Sequence, residues 1–353
     1  MKKTSKKSPY TLGIDLGDKS HEVCVVDASA NIVSRETILN NREAFHALSK
    51  KYPRALMIME AGTHSPWISR HLEGVGHPVI VANPRKVRAI YESENKNDAR
   101  DAEMLARIGR LDPNLLYGIT HKSEAHQRIL KILDTRDGLV KMRVLAVNQV
   151  RSTYKSLGIM LPTGISTDAF AKKVRESLSE DDLRLTLPMV EVIEALTQQI
   201  KAEDKRIEKL IESDYPTARK LMSVPGVGPI TALAFVLIIG SPDRFKSARD
   251  VGPYLGLVPR RDQSGEVDKE LRITKCGNKM LRRLLVSCAQ YTLGAFGPPS
   301  ALREAGERKM STGAKTAKKK AVVMVARKLG VLLLSLWKNP RTEYTAYPHE
   351  VGA

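Results

Sequence analysis

Long apolar runs, paired cysteines and negative charge are what this chain of 353 residues has little of. A membrane span needs roughly 18 consecutive apolar residues, and the run from Val331 to Trp337 is far too short. The three cysteines, Cys24, Cys276 and Cys288, stand alone and are odd in number, which excludes a disulfide framework and points to a reducing, cytoplasmic compartment. None has metal-ligand spacing, and the eight histidines show no HxxxH pattern, so a zinc site is not expected. The start, Met1 to Ser8, is basic but has no apolar stretch behind it, so it reads as a flexible arm (residues 1–9) rather than a secretion signal. Aspartate and glutamate number 39 against 58 lysines and arginines, a net charge of +19. Such an excess favours a polyanionic partner, nucleic acid ahead of an anionic membrane.

What is present is globular: 42% hydrophobic and 27% charged residues, in a length that allows two or three domains. Tyr10–Leu16, His21–Asp27 and Ile32–Leu39 read as three strands, the last two joined by a turn at Ala28–Asn31. A helix over Asn41–Lys50, a buried strand over Arg54–Glu60, a helix over Ser65–Glu73, a strand over Pro78–Val81 and a basic segment over Pro84–Tyr91 follow. The pattern predicts a mixed-sheet α/β domain over residues 10–118.

Its last element is the stretch Asn95-Lys96-Asn97-Asp98-Ala99-Arg100-Asp101-Ala102, which continues as a helix through Ile108. Asp98 and Asp101 fall on one helix face, where like charges repel unless a cation lies between them. An acidic first turn that suits the helix dipole is the plainer reading. Asp15 sits in an apolar strand, where a carboxylate is costly to bury alone, and Glu60 ends the fourth strand. If the first and fourth strands are neighbours, four carboxylates converge, a hard oxygen set that suits Mg²⁺ in phosphodiester cleavage.

Residues 119–214 predict two long helices, Arg128–Ser156 and Met189–Glu212, around a break at Gly158–Thr167. The first has a basic side that includes Arg128 and Lys131; the second carries Met189, Ile193, Leu196, Ile200, Ile207 and Leu210 at heptad spacing, with Glu203 interrupting. The pair predicts an antiparallel helical or coiled-coil arm and a dimer contact.

Residues 215–340 predict a mainly α-helical domain, with a tail from 341 to 353. Pro225-Gly226-Val227-Gly228 between two helices has the helix-hairpin-helix form, in which backbone N–H groups approach a phosphate. Ile230–Ile239 is an apolar core helix. Ser264 stands before Gly265 in a polar stretch after Arg260 and Arg261, as a turn residue or a nucleophile, with no histidine near it in sequence to act as base. Arg272, Lys275, Lys279, Arg282 and Arg283 follow as expected phosphate contacts.

Gly13-Ile14-Asp15, Met59-Glu60-Ala61-Gly62-Thr63 and Asp98-x-x-Asp101-Ala102 together resemble the RuvC-like, RNase H-fold domain of DEDD transposases. With Gly256-Leu257-x-Pro259-Arg260-Arg261-x-x-Ser264-Gly265, the chain is similar over residues 11–338 to insertion-sequence family one-ten, the bridge-RNA-guided recombinases. The resemblance implies a metal-bound Asp15/Glu60/Asp98/Asp101 site with two Mg²⁺ ions, a catalytic serine at Ser264, and cutting and rejoining of donor and target DNA. It also implies a bridge RNA, a homo-oligomer (dimer or tetramer) that joins the RuvC-like half of one subunit to the serine half of another, and a nucleoid-associated protein without membrane contact. Two other readings of the residues stand beside it: a RuvC-like nuclease that uses water, and a non-catalytic nucleic-acid-binding protein.

Overall fold

The computed structural model describes residues 9–87, 97–264 and 267–347, apart from the side chains of 264 and 267–269. The basic arm, Asn95, Lys96, Gly265, Glu266, the end of the Pro84–Tyr91 segment and the last residues of the tail lie outside the described residues. The chain forms two compact units, Met1–Ser123 and Glu124–Ala353. The stretch set apart as an arm and the domain after it therefore share one unit.

The first unit is a five-stranded sheet in the order β3-β2-β1-β4-β5. Its strands are β1 (Thr11–Leu16), β2 (Ser20–Val26), β3 (Ile32–Leu39), β4 (Leu56–Glu60) and β5 (Val79–Ala82). Strand β1 is antiparallel to β2 and parallel to β4, which gives the expected mixed sheet. Alternation along the strands sends side chains to two faces. Leu12, Ile14, Met57 and Met59 pack with Phe45, Leu48, Ile68 and Leu72 of α1 (Arg42–Lys51) and α2 (Ser65–Gly74). Asn41 caps α1, its side chain accepting from Ala44 N at 2.8 Å. A short α3 (Pro84–Val87) precedes α4 (Asp98–Leu111), which covers the other face with Ala102, Leu105, Ala106 and Ile108.

In the second unit, α5 (Glu124–Ser156) runs antiparallel to α8 (Leu187–Asp214). Arg136 pairs with Asp204, Arg143 donates to Thr197 Oγ1 at 3.2 Å, and Tyr154 meets Thr186 Oγ1 at 2.6 Å, so a step down one helix is a step up the other. The break between them holds α6 (Phe170–Ser177) and α7 (Glu180–Arg184). Phe170, Ala171 and Val174 of α6 close the distal end of the pair against Val147, Val150, Val190 and Ile193.

The buried positions of α8 are Val190, Ile193, Thr197, Ile200, Ile207 and Ile211. They share Ile193, Ile200 and Ile207 with the expected seam but replace Met189, Leu196 and Leu210 by their C-terminal neighbours. Glu203 and Asp204 are both partly buried beside it, Glu203 with a buried carboxylate oxygen and Asp204 paired with the Arg136 guanidinium. Helices α5 and α6 of the same chain pack along this seam.

Towards Glu124 the pair merges with a helical core. Leu133, Ile207 and Ile211 join α9 (Pro216–Leu221), α10 (Pro229–Ile239), α11 (Val251–Leu255), α12 (Lys279–Thr292) and α14 (Ala317–Lys338). Every residue of α10 from Thr231 to Ile239 is buried, as its apolar composition requires. A hairpin, β6 (Pro259–Ser264) and β7 (Val267–Ile273), was not expected in this mainly helical part. Its strands are polar, with Arg260, Arg261, Asp262 and Gln263 all exposed, so no apolar alternation announces them. Beyond α13 (Ala301–Met310) and α14, the described residues after Lys338 are held by hydrogen bonds. Lys220 Nζ donates to the carbonyls of Leu336, Asn339 and Pro340 at 3.1, 2.9 and 2.8 Å, and Ala301 N donates to Ala346 O at 3.0 Å.

Candidate active site

Strand register places the first two acids. Ile14 is opposite Met59 in the parallel β1–β4 pair, and one step further brings Asp15 level with Glu60 at the carboxyl ends of both strands. Gly13 and Ile58, one pleat earlier, face α4, so Asp15 and Glu60 belong to that face too. A Cβ on Gly13 would lie 2.0 Å from Ala102 O and 2.5 Å from Ala106 N, and one on Gly109 would lie 1.8 Å from Ile58 Cδ1. Only glycine lets strand and helix backbones come this close.

Helix α4 runs opposite to β1. Arg110, near its end, donates to Ala28 O at 3.1 Å, in the turn beside the start of β1. Its first turn is therefore directed towards the strand ends that carry Asp15 and Glu60. That turn holds Asp98 and Asp101, capped by Asn97, whose side chain accepts from Ala99 N at 3.0 Å. Glu103 holds the helix laterally, through an ion pair to Arg35 at 2.5 Å and another to Arg107 at 2.7 Å. Both acids lie in the first turn, where they also suit the helix dipole.

Asp15, Glu60 and Asp101 are half-buried and Asp98 is exposed, so the carboxylates stay within reach of solvent and of a ligand. As the side chains stand, no three carboxylate, imidazole or thiol groups are grouped closely enough to hold a metal ion among the described residues. The donor set is nevertheless all hard oxygen, the class that binds Mg²⁺ or Mn²⁺ rather than zinc.

A fifth acid escaped the sequence reading. Glu22 is in register opposite Asp15 on β2, and Thr37 of β3 donates to its Oε1 at 2.7 Å. Its signal is the strand register, which a linear reading lacks. On the opposite face, His21 is fully buried against Phe45, with ring centroids 5.2 Å apart. Burial holds its imidazole below the usual range, with the nearby His64 adding to the effect and a hydrogen bond to Asn40 opposing it. His121, which shares a hydrogen bond with Ser65 Oγ at 3.0 Å, is likewise held low, by burial first and by the Arg70 charge second.

Known proteins resemble the chain in sequence. The family model for DEDD transposases of IS110 type matches residues 12–158, which includes all four acids, and the model described as the IS116/IS110/IS902 transposase family matches residues 218–304. The transposase of insertion sequence IS1328 from Yersinia enterocolitica is 31% identical over 284 residues, 79% of this chain and 82% of its own length. The chain belongs to the IS110 family of DEDD transposases. A second relative, the IS1111A transposase of Coxiella burnetii, is 28% identical over 83% of this chain and 80% of its own. The pilin gene-inverting protein of Moraxella lacunata is 26% identical over 90% and 92%. Membership makes the protein a DNA transposase or recombinase, with the divalent-metal dependence general to DEDD domains. No helix among the described residues is long and apolar enough to cross a membrane.

In this transposase Ser264 is the last residue of β6, with its backbone in register with Val267. It was expected in a polar turn, and it ends a polar strand. The hairpin base is braced by Gly256 (φ +69°) and Gly277 (φ +74°), where a Cβ would meet Cys276 O at 2.3 Å and Tyr254 O at 2.1 Å respectively. Arg282 ties the same turns together, donating to Leu255 O at 3.1 Å and Cys276 O at 2.6 Å. Its guanidinium is thus occupied by the fold.

The other expected phosphate contacts divide by what they touch. Arg128 pairs with Glu124 at 2.6 Å, Lys131 with Asp134 at 3.2 Å, and Arg283 with Asp137. Arg260, Arg272, Lys275 and Lys279 are exposed, as is Arg261, which lies in register with Glu270. Gly226 (φ +84°) makes the turn between α9 and α10, and Gly228 caps α10 with open space beside it.

A substitution tests the close approach of β1 and α4. Gly13→Ala should lower stability by about 1–3 kcal/mol, because the methyl group collides with helix backbone rather than with a side chain that can rotate away. Urea unfolding measures it, and an unchanged midpoint would contradict the contact.

Proposed function

We propose that this transposase cuts and rejoins DNA at insertion-sequence ends and at a target, with Asp15, Glu60, Asp98 and Asp101 as ligands for two Mg²⁺ ions and Ser264 as nucleophile. The observation that carries the reading is the register that sets Asp15 level with Glu60 while Gly13 admits the Asp98–Asp101 helix over the same strand. Bound Mg²⁺ would supply Lewis-acid stabilisation of charge on the phosphate oxygens. Such an ion retains waters and takes one or two protein carboxylates together with substrate phosphate, so a site completed by DNA suits a donor set that is open without it. Ser264 Oγ gives up its proton to water and forms a bond to phosphorus as one strand oxygen leaves and takes up a proton from water. The phosphoserine ester conserves the bond energy until a strand hydroxyl attacks it in turn and releases the serine. Arg260 and Arg261, two residues with bidentate geometry for phosphate, precede it in the hairpin.

The reading extends to a bridge RNA that pairs with donor and target DNA and to a homo-oligomeric particle, both on the strength of family resemblance. Reconstitution tests it. Full-length protein, element-end DNA, target DNA and the RNA transcribed beside the gene should together give joined products in Mg²⁺ and none after chelation. Strand transfer without the RNA would refute guidance, and strand cutting in chelator would refute the metal site.

A further inference from the structure

One aromatic ring on the second unit is left in water by a braced backbone. Phe296 is 85% exposed, more than any other large apolar side chain among the described residues. Its turn, which follows α12, is firmly built. Arg303 Nη1 donates to Gly294 O at 2.9 Å, Gly297 O at 2.5 Å and Thr292 O at 3.4 Å. Gly294 N donates to Tyr291 O at 3.0 Å, and a Cβ on Gly297 would lie 2.2 Å from Thr292 O. A ring so exposed contributes little to the core, so its truncation should leave folding intact.

The neighbourhood is cationic and aromatic. Gly294 lines a groove of about 600 Å³, floored by Val286, Leu293 and Val322 and bordered by Lys318 and Lys319. The glutamates of α13 are engaged by arginines of the same helix, Glu307 by Arg303 at 2.8 Å and Glu304 by Arg308 at 3.6 Å. Tyr291, itself 42% exposed, presses on the turn between α9 and α10, where a Cβ on Gly226 would meet its Cδ1 at 2.6 Å. Phe296 lies two residues beyond Gly294, which lines the groove with the two lysines.

We propose that Phe296 is a stacking platform for an unpaired base of a DNA strand whose phosphates lie against Lys318 and Lys319. Stacking on a ring face tolerates any base, and lysines track the backbone without reading sequence. Both suit an enzyme that must hold different strands while they are opened and exchanged. DNA is favoured over a protein partner by the lysine border, and over RNA because DNA is what a transposase opens. The proposal rests on family membership and is independent of the roles given to Asp15 and Ser264.

The test uses the full chain and oligonucleotides that carry 2-aminopurine, with binding read by fluorescence at fixed salt. Phe296→Ala and Phe296→Leu should weaken single-stranded DNA about ten- to a hundredfold, leave duplex affinity unchanged and leave thermal unfolding unchanged. Phe296→Trp should restore binding. Replacing Lys318 and Lys319 by alanine should flatten the salt dependence by about 0.7 in log–log slope per lost contact. Unaltered single-strand affinity in Phe296→Ala, or an equal loss on duplex, overturns the proposal. So does a loss confined to RNA of the same sequence, or a dissociated oligomer with intact single-strand binding, which would make Phe296 an RNA seat or a subunit contact.

Discussion

Asp15→Asn should abolish strand cleavage while the protein remains folded and DNA-bound. The asparagine is isosteric and keeps one carbonyl oxygen, so the sheet register with Glu22 and Glu60 has no reason to change. What disappears is the negative charge, on which a hard divalent cation depends. A loss of about a thousandfold or more, ~4 kcal/mol of transition-state stabilisation, is the expected scale. Single-turnover cleavage of labelled element-end DNA measures it, with a binding assay run in parallel. Cleavage within tenfold of the unaltered protein would remove Asp15 from the site. Glu22→Gln is the informative companion, because it changes the neighbour in register without touching any of the four family acids.

Ser264→Ala should have an effect of the same order by a different route. The missing hydroxyl cannot form the phosphoserine ester, so adducts that survive denaturation should vanish and joined products should fall by roughly a thousandfold or more. Labelled DNA that co-migrates with denatured protein is the direct readout. Nicking that persists without any adduct would favour a nuclease that uses water, and adducts that persist would dismiss the serine. Mixing the Asp15→Asn and Ser264→Ala proteins adds a further measurement: activity regained in the mixture means that different subunits supply the two groups.

The parts of this fold that a linear reading captured are those with local causes. The β3 span is the one expected, and the unbroken apolar stretch of α10 is buried throughout. The helix seam was read one residue out of phase at alternate positions, because Leu196 and Thr197 differ more in hydrophobicity than in burial. Thr197 is accepted inside by the Arg143 guanidinium and the Ile193 carbonyl, partners that spacing does not reveal. The polar hairpin β6–β7 was missed for a related reason: its strands are held by backbone hydrogen bonds and two glycine contacts, not by an apolar face.

The sequence by itself determined the chemistry available: four acids in family spacing, a serine before glycine behind two arginines, and a large cationic excess. Tertiary structure decided their placement. Asp15 and Glu60 each lie one residue beyond the Ile14–Met59 pair of the parallel β1–β4 ladder, and Asp98 and Asp101 open the helix that a residue without Cβ lets cross Gly13 at backbone distance. Register and close approach are relations between distant segments, fixed by packing on both sheet faces at once. No local propensity encodes them, and so Glu22 beside Asp15, and Phe296 braced in solvent, became visible only in three dimensions.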